Sequence, residues 1–444
     1  TTYDAWKAFN GTNSSESDAW ASLNNTAYPH WLQIKIPFPV RVEKFVIQNR
    51  NKATSCGIVF DILASQDGIN WDTLVSVNNK DIVPNTAANA INEYIKNNYP
   101  NIETEIIDCM KYVNKHLEKL TTVAYKEMAK KAPWAWGTIY YTSQHGLVAE
   151  LSSTSNKILA RKLNTLLQEY MPDLIISTHP FASQMCSYLK KHNKINCKIA
   201  SIMTDFAPHD QWLVGKKCID YFFVAHNKMK EDLIKKKVPA EKIFATGIPL
   251  SNKFLLNFDR TEILKQFGLK ENKKTILFFG GGEFGLGKNK TLKVLSSLLN
   301  DFDNIQIVAI SGKNVKMKNK FQELADNSSM SEDIKIMEYT NNVPELMSVS
   351  DLVVTKPGGL TTSESLASGL PIIVINPIPG QEFQNAEFLE EKGVGIWIRS
   401  STNINETLHS LLNNPEKFKQ MKVNAKLLAK KYSTRDICKI LLEE

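Results

Sequence analysis

The sequence lacks several features that would assign its class directly. No run of eighteen apolar residues occurs among its 444 residues, which argues against a transmembrane helix. No charged and then apolar leader is visible, so no signal peptide is predicted. The six cysteines include no CxxC pair, and no GK[ST] follows a glycine-rich turn, which argues against a zinc site and a Walker loop. A cytoplasmic protein with reduced thiols is expected.

Positive charge is in excess, with a formal net charge of +8 in a chain that is 43% hydrophobic and 23% charged. This balance suits an anionic membrane surface, nucleic acid or a phosphate-bearing substrate. It equally suits a lysine-rich surface without a partner. The length allows two or three domains.

The residue pattern changes near residue 80. Residues 1–78 carry short alternating runs, with an Asp67-Gly68 turn signal between runs at 58–64 and 71–77, and predict a β module. Beyond residue 85, helical segments alternate with short apolar strands, which predicts two parallel sheets covered by helices, in lobes at 79–256 and 257–444. The predicted strands are 104–107, 174–177, 199–203, 221–225, 243–246, 275–279, 305–310, 334–337, 352–355 and 371–375.

A site for an anion is predicted where the strand at 352–355 ends and a helix begins. Gly358 and Gly359 bare the backbone there, and Thr361 offers a hydroxyl in the first helical turn. Glu364, one turn further, can accept hydrogen bonds from both hydroxyls of a ribose. The plain alternative is a capped helix whose Glu favours the helix dipole.

Two other turns of the second lobe follow predicted strands. Gly280-Gly281-Gly282 precedes a helix near Lys288, and residues 377–385 supply Gln381, Glu382 and Asn385, which suit sugar hydroxyls. Ligands of open α/β sheets sit outside the carboxyl ends of the strands, so we expect these turns to share one site.

The first lobe has its own candidates. Asp205 and His209 follow the strand at 199–203 and predict an acceptor site, although a single His is more often structural. Residues 110–147 combine lysines, apolar residues and tryptophans as at a lipid headgroup boundary. A core-packed helix with a solvated lysine face is the alternative for that segment.

The run TKPGGLTTSESLASGLPIIVINPIPGQEFQNAEFLEEKGVG (355–395) closely resembles the processive diacylglycerol glucosyltransferases and monogalactosyldiacylglycerol synthases of glycosyltransferase family 28. The resemblance covers about 85–444 and implies the GT-B fold, two Rossmann-like lobes with a cleft between them. Supporting matches are Thr204-Asp205-Phe206 with His209 and Trp212, Gly247-Ile248-Pro249, and Phe279 to Gly282.

The resemblance implies an inverting transfer of glucose or galactose from a UDP-sugar to diacylglycerol or its glycosylated product, with the UDP-sugar as donor substrate and no metal or other cofactor. It also implies peripheral attachment to the cytoplasmic face of the membrane, through an anionic surface contact at 110–147, and no nucleic acid. We predict catalytic roles for Asp205 and His209. The predicted donor-site residues are Gly281, Gly282, Gly358, Gly359, Leu360 and Thr361 around the diphosphate, Glu364 on the ribose, Thr340 by the uracil, and Gly380, Gln381, Glu382 and Asn385 around the sugar.

The first lobe departs from the family at its start. The family's opening strand and glycine-rich loop are missing, and Pro84 stands where the family has a His that serves as base or acceptor contact. This predicts impaired transfer. Residues 1–78 resemble part of a discoidin (coagulation factor type C) domain. The discoidin-like part and the transferase-like part are therefore both incomplete at the same junction. We expect a gene fusion or a joining error, which genomic DNA across codons 75–90 distinguishes.

Three other functions are compatible with the sequence. The first is transfer of N-acetylglucosamine to a lipid-linked peptidoglycan precursor. The second is a GT-B sugar-nucleotide epimerase, which needs no lipid surface. The third is a glycan-binding protein without catalysis, which predicts no affinity for UDP.

Overall fold

The chain divides into two compact units, residues 1–84 and 85–444. In the first unit β1 (Val59–Ala64) pairs antiparallel with β2 (Asp72–Asn78), as the hairpin pattern predicted. The predicted turn residues between these strands lie outside the described residues. The computed structural model describes residues 59–64, 72–78, 86–113, 160–280 and 288–443.

The first lobe of the larger unit is built on four parallel strands in the order β3-β4-β5-β6. Its elements are α1 (Ala87–Asn98), α2 (Cys109–Val113), α3 (160–170), β3 (Leu174–Ser177), α4 (Pro180–Lys191), β4 (Lys198–Ile202), β5 (Tyr221–Phe223), α5 (Asn227–Lys235) and β6 (Ile243–Phe244).

The strand predicted at 104–107 is wrong, because residues 102–108 have no regular structure. Glu105 is exposed and so is Ile106, which shows that this stretch has no apolar face to bury. The Thr104 hydroxyl instead donates a hydrogen bond to the Asn92 side chain of α1 at 2.6 Å. The apolar residues of this run were too few to place it in a sheet.

The second lobe carries six parallel strands in the order β12-β11-β10-β7-β8-β9. The helix predicted in the linker and the strands predicted at 305–310, 334–337 and 352–355 are confirmed. Its elements are α6 (Arg260–Gln266), β7 (Lys274–Phe279), α7 (Lys288–Asp301), β8 (Ile305–Ile310), α8 (Val315–Asp326), β9 (Ile334–Met337), α9 (Val343–Val349), β10 (Leu352–Thr355), α10 (Gly359–Ala367), β11 (Ile372–Val374), α11 (Gln381–Glu391), β12 (Gly395–Trp397), α12 (Ile404–Leu412), α13 (Pro415–Leu428) and α14 (Ser433–Leu442).

The last helix, α14, returns to the first lobe, although the sequence placed the whole of 257–444 in the second. Its Ile437 and Cys438 pack in one apolar cluster with Ile91 and Phe223 of the first lobe. The Thr434 hydroxyl accepts from the Leu250 N–H at 2.9 Å and donates to the Leu250 carbonyl at 2.6 Å. An amphipathic pattern shows that α14 buries one face but not which sheet receives it.

A continuous apolar cluster joins the two lobes. Phe206 and Ile248 of the first lobe share it with Phe388 and Leu389 of α11. The Phe206 and Phe388 rings stack at 5.1 Å, so the loop after β4 is packed directly on the second lobe. No disulfide joins the five cysteines that the structure describes. None of the described helices has the length and hydropathy needed to cross a membrane.

Candidate active site

The start of α10 lies against the loop that follows β4. Gly359 is its first helical residue, and a Cβ built there would lie 1.8 Å from the Thr204 carbonyl oxygen of the first lobe. Gly358, the preceding residue, faces open space, with no atom within 4 Å of a Cβ built on it. One glycine therefore allows the lobes to meet, and its neighbour leaves room for a ligand beside the helix start.

The first turn of α10 has the properties of an anion site. Its leading N–H groups have no acceptor within the helix, and the helix dipole favours a negative charge there. Thr362, in the same turn, is fully buried, and its hydroxyl oxygen has no hydrogen-bond partner. Thr361 is half-buried beside it, and Leu360 packs against the apolar cluster between the lobes. The structure thus brings the predicted residues 358–361 together at one edge of the cleft.

Glu364 lies in α10, 6% exposed, and burial raises the pKa of its carboxyl to about 8. Its charge is close enough to Tyr339, just after β9, to add to the burial that raises the pKa of that phenol. Thr340 follows, and its hydroxyl accepts from the Asn342 N–H at 3.1 Å. The predicted ribose and uracil positions are therefore neighbours. Tyr339 was not predicted, although an aromatic residue directly after a parallel strand was a usable signal.

The start of α11 forms the next part of the site. Gly380 precedes it at a φ of 110°, a conformation that favours glycine, and Gln381 is its first residue. One Glu382 carboxylate oxygen accepts from the Ile378 N–H at 2.6 Å. Burial raises the pKa of Glu382, the Lys356 ammonium opposes that rise, and Asp205 of the first lobe adds to it. Lys356 belongs to the predicted motif but was not predicted as a site residue.

Asn385 differs from its predicted role as a sugar contact. It is fully buried and has no surface to offer a ligand. Its carbonyl oxygen accepts from the Phe206 N–H at 2.9 Å, and its amide donates to the Pro357 carbonyl at 2.9 Å and to an Asp205 carboxylate oxygen at 3.3 Å. Asn385 therefore supports the site from behind. Sequence alone shows an amide near the cleft but not that all its hydrogen bonds are internal.

The two predicted catalytic residues have different surroundings. His209 is 7% exposed, and its Nδ1 accepts from the Gln211 N–H at 3.1 Å, capping the short turn at Asp210–Leu213. Asp205 is only half-buried and lies within electrostatic range of Glu382. Burial raises the pKa of Asp205, and the hydrogen bond from Asn385 lowers it. Asp205 thus keeps part of its side chain exposed beside the cleft, whereas His209 holds the loop.

His226, which was not predicted, also holds this loop. Its Nδ1 accepts from the Met229 N–H at 3.3 Å, so the proton sits on Nε2, which donates to the Phe206 carbonyl at 2.9 Å. The ring stacks on Phe388 at 4.3 Å, and burial lowers its pKa. A neutral His226 therefore fixes the backbone directly after Asp205.

Other predicted features are only partly described. Gly281, Gly282, Pro84 and residues 114–147 lie outside the described residues. Gly280 is packed tightly, since a Cβ there would lie 2.8 Å from the Phe321 ring. Within the described part of the chain, no three His, Cys, Asp or Glu side chains are grouped as a metal would require.

Family models match nearly the whole chain. The monogalactosyldiacylglycerol (MGDG) synthase model matches residues 85–250, and the glycosyltransferase family 28 C-terminal domain model matches 275–437. The F5/8 type C domain model matches 1–106, so it extends beyond the predicted end of the discoidin-like part at 78 and overlaps the synthase match.

A processive diacylglycerol β-glucosyltransferase of Staphylococcus epidermidis is 38% identical over 285 residues, which are 64% of this chain and 70% of that relative. The chain belongs to the processive diacylglycerol β-glucosyltransferase family. A family member from Bacillus pumilus is 34% identical over 284 residues, 64% of this chain and 72% of its own. This enzyme is a glycosyltransferase of family 28.

Solved structures show the same fold. A UDP complex of MnaA from S. aureus has a TM-score of 0.51 at 16% identity, covering 67% of this chain and 82% of that one. MurG of Acinetobacter baumannii has a TM-score of 0.50 at 15% identity, covering 65% and 78%. The two parallel sheets of residues 85–444 therefore form a GT-B fold.

Proposed function

We propose that this enzyme transfers glucose or galactose from a UDP-sugar to diacylglycerol or a glycosyl-diacylglycerol, with inversion, while attached peripherally to the cytoplasmic face of a membrane. One observation carries the proposal. The anion-binding start of α10, with buried Glu364 one turn along it, lies directly against the first-lobe loop that bears Asp205. Donor and acceptor groups thus meet where the two lobes touch.

The donor is proposed to lie across the second lobe. Its diphosphate sits over Gly358 and the first turn of α10, where helix N–H groups stabilise negative charge. The Glu364 carboxylate accepts hydrogen bonds from the ribose hydroxyls, with Thr340 and Tyr339 beside the base. Gln381 and Glu382 meet the hexose. The partly buried Lys356 ammonium lies near Glu382 and adds positive charge at this end of the site.

The transfer is proposed to be a single displacement. The acceptor oxygen forms a bond to C1 of the hexose as the bond from C1 to the diphosphate oxygen breaks. The Asp205 carboxylate takes the proton of the acceptor hydroxyl. Negative charge that grows on the leaving UDP is met by the start of α10, so this scheme needs no further cofactor.

Lipid analysis tests this function. The full chain is incubated with vesicles that contain diacylglycerol and anionic phospholipid, and with labelled UDP-glucose or UDP-galactose. We expect label in a glycolipid from one of the donors. Label only on a lipid-linked peptidoglycan precursor supplied with UDP-N-acetylglucosamine, or epimerised UDP-sugar without lipid, contradicts the proposal. A chain with the glycine-rich His loop restored before residue 85 is expected to be faster, since the Pro84 side chain cannot form a hydrogen bond to the acceptor as the family's His would.

At about pH 9, above the raised pKa of Glu364, replacing this residue with Gln is expected to weaken UDP binding about ten- to a hundredfold, because hydrogen bonds to a charged group contribute about 1.5–3 kcal/mol. Calorimetric titration of UDP measures this. Ser365→Ala is the matched control, since the neighbouring Ser365 hydroxyl bonds only the Thr361 carbonyl in its own helix. Equal UDP affinity in Glu364→Gln and wild type contradicts the ribose contact.

The same variant is expected to be more heat-stable than wild type at high pH. The folded-state pKa of Glu364 lies near 8, above its ordinary value of 4.5. The free energy of unfolding of the wild type therefore falls as pH rises between these values, because the buried carboxyl must ionise. Gln has no such cost. The Tm difference should be small at about pH 5 and largest at about pH 9. A pH-independent difference contradicts the burial of an ionisable carboxyl here.

A further inference from the structure

Asn385 joins its own helix to two other segments of the site with one side-chain amide. It belongs to α11, while Pro357 belongs to the turn that opens α10, and Asp205 and Phe206 belong to the first lobe. The carbonyl oxygen and both donor directions of the NH2 group are used, at 2.9, 2.9 and 3.3 Å. Among side chains of this size, only that of Asn offers a carbonyl oxygen as acceptor together with two N–H donors.

The contact lies beside a close approach of the two lobes. Gly359, two residues after Pro357, packs on the carbonyl of Thr204, one residue before Asp205. The turn that faces the donor and the loop that faces the acceptor are therefore held at a fixed separation, and the Asn385 amide is the polar group that joins them. Because it is fully buried, its hydrogen bonds do not compete with water.

We propose that Asn385 is a positioning residue: it orients the Asp205 carboxylate and fixes it against the donor turn, so that the base meets the acceptor hydroxyl only when the lobes are correctly joined. The inference rests on the proposed transfer and deepens it by assigning what aligns the two substrates. Asn385 itself touches neither substrate.

The hydrogen bond that the Asn385 amide donates also affects the protonation of Asp205. A hydrogen bond to the ionised carboxylate favours that form and so opposes burial, which raises the pKa of Asp205. Asp205 in turn adds to the rise in the pKa of the nearby Glu382, which the Lys356 ammonium opposes. The base must be ionised to accept a proton, so activity is expected to rise with pH as Asp205 ionises. Loss of the donor should move this rise to higher pH.

Asn385→Asp tests the proposal in the full chain. The substitution preserves shape and the bond from the Phe206 N–H, but it places a second carboxylate beside Asp205 and removes both donors. We expect kcat to fall roughly 100-fold and the acidic limb of its pH profile to rise by about one unit or more. The dissociation constant of UDP should stay within about threefold, since Asn385 makes no contact with the nucleotide in the proposed site.

Gln306→Glu is the matched control. Gln306 is 2% exposed, and its amide also makes three hydrogen bonds, to the Lys270 N–H and carbonyl and to the Thr275 hydroxyl, away from the cleft. Both variants turn a buried amide into a carboxylate and should lower Tm. If Asn385→Asp reduces activity only as much as Gln306→Glu, with an unmoved pH limb, the positioning role is overturned and the amide is merely structural.

Asn385→Ala allows a test that does not depend on glycosyltransferase activity. Hydrogen exchange at the Phe206 amide should accelerate relative to the Gln306→Glu chain, because Phe206 loses its acceptor, whereas Asn385→Asp should keep it protected. Unchanged exchange in Asn385→Ala overturns the inference even if the wild-type chain proves inactive. Wild-type inactivity with accelerated exchange instead contradicts the proposed function and leaves the contact between the lobes in place.

Discussion

Replacing Asp205 with Asn is expected to lower kcat by about 10²- to 10⁴-fold, the usual contribution of a positioned general base. The change is nearly isosteric, and the carbonyl oxygen of the new amide can still accept from Asn385, as Asp205 does at 3.3 Å. The contact between the lobes therefore survives, and only the ability to take a proton is lost. Binding of UDP should be unchanged.

Steady-state rates of glycolipid formation between about pH 5 and 9 measure this effect. Asp210→Asn is the control, because Asp210 lies five residues away in the same loop and its carboxylate forms an ion pair with Lys236. We expect Asp210→Asn to lower Tm slightly and to leave the acidic limb of the pH–rate profile unchanged. If Asp205→Asn retains near wild-type kcat, the base lies elsewhere, and the buried His209 becomes the candidate to test.

Gly359→Ala is expected to abolish most activity through one methyl group. The added Cβ would lie 1.8 Å from the Thr204 carbonyl oxygen, a backbone atom that cannot rotate away as a side chain can. Cβ atoms keep about 3 Å or more from such atoms, so the lobes must separate by about 1 Å, a misplacement that can cost about 100-fold in rate. Ala favours a helix more than Gly does, so helix propensity works against the loss.

Gly358→Ala is the matched control for folding, because its added Cβ would meet no atom within 4 Å and its φ of −66° suits any residue. Thermal unfolding should show a lower Tm for Gly359→Ala and little change for Gly358→Ala. Transfer rates should show a loss of kcat in Gly359→Ala with UDP affinity largely kept. A Gly359→Ala chain with wild-type Tm and kcat contradicts the close contact of the lobes.

Much of the fold was accessible from local pattern. Strands such as β8 and β10 are mostly apolar runs because both faces of a parallel sheet are covered, and such runs have sharp ends. The strand prediction at 104–107 failed for the opposite reason, since its only two apolar residues, Ile106 and Ile107, are flanked by the acids Glu105 and Asp108. The motif at 355–364 was readable because glycines, hydroxyls and a carboxylate at a strand end have few structural explanations in combination.

The sequence by itself determined the alternation of helices and strands and the family, and it predicted which segments carry the donor site. It missed β12 and placed a strand wrongly at 104–107. Only the tertiary structure decided which of the predicted polar residues keep an exposed surface and which face one another. Asn385 and His209 became buried supports, Glu364 acquired a raised pKa, and α14 joined the first sheet. The physical reason is that burial and hydrogen-bond partners depend on residues far away in the chain, 180 positions in the case of Asp205 and Asn385, and no local pattern records them.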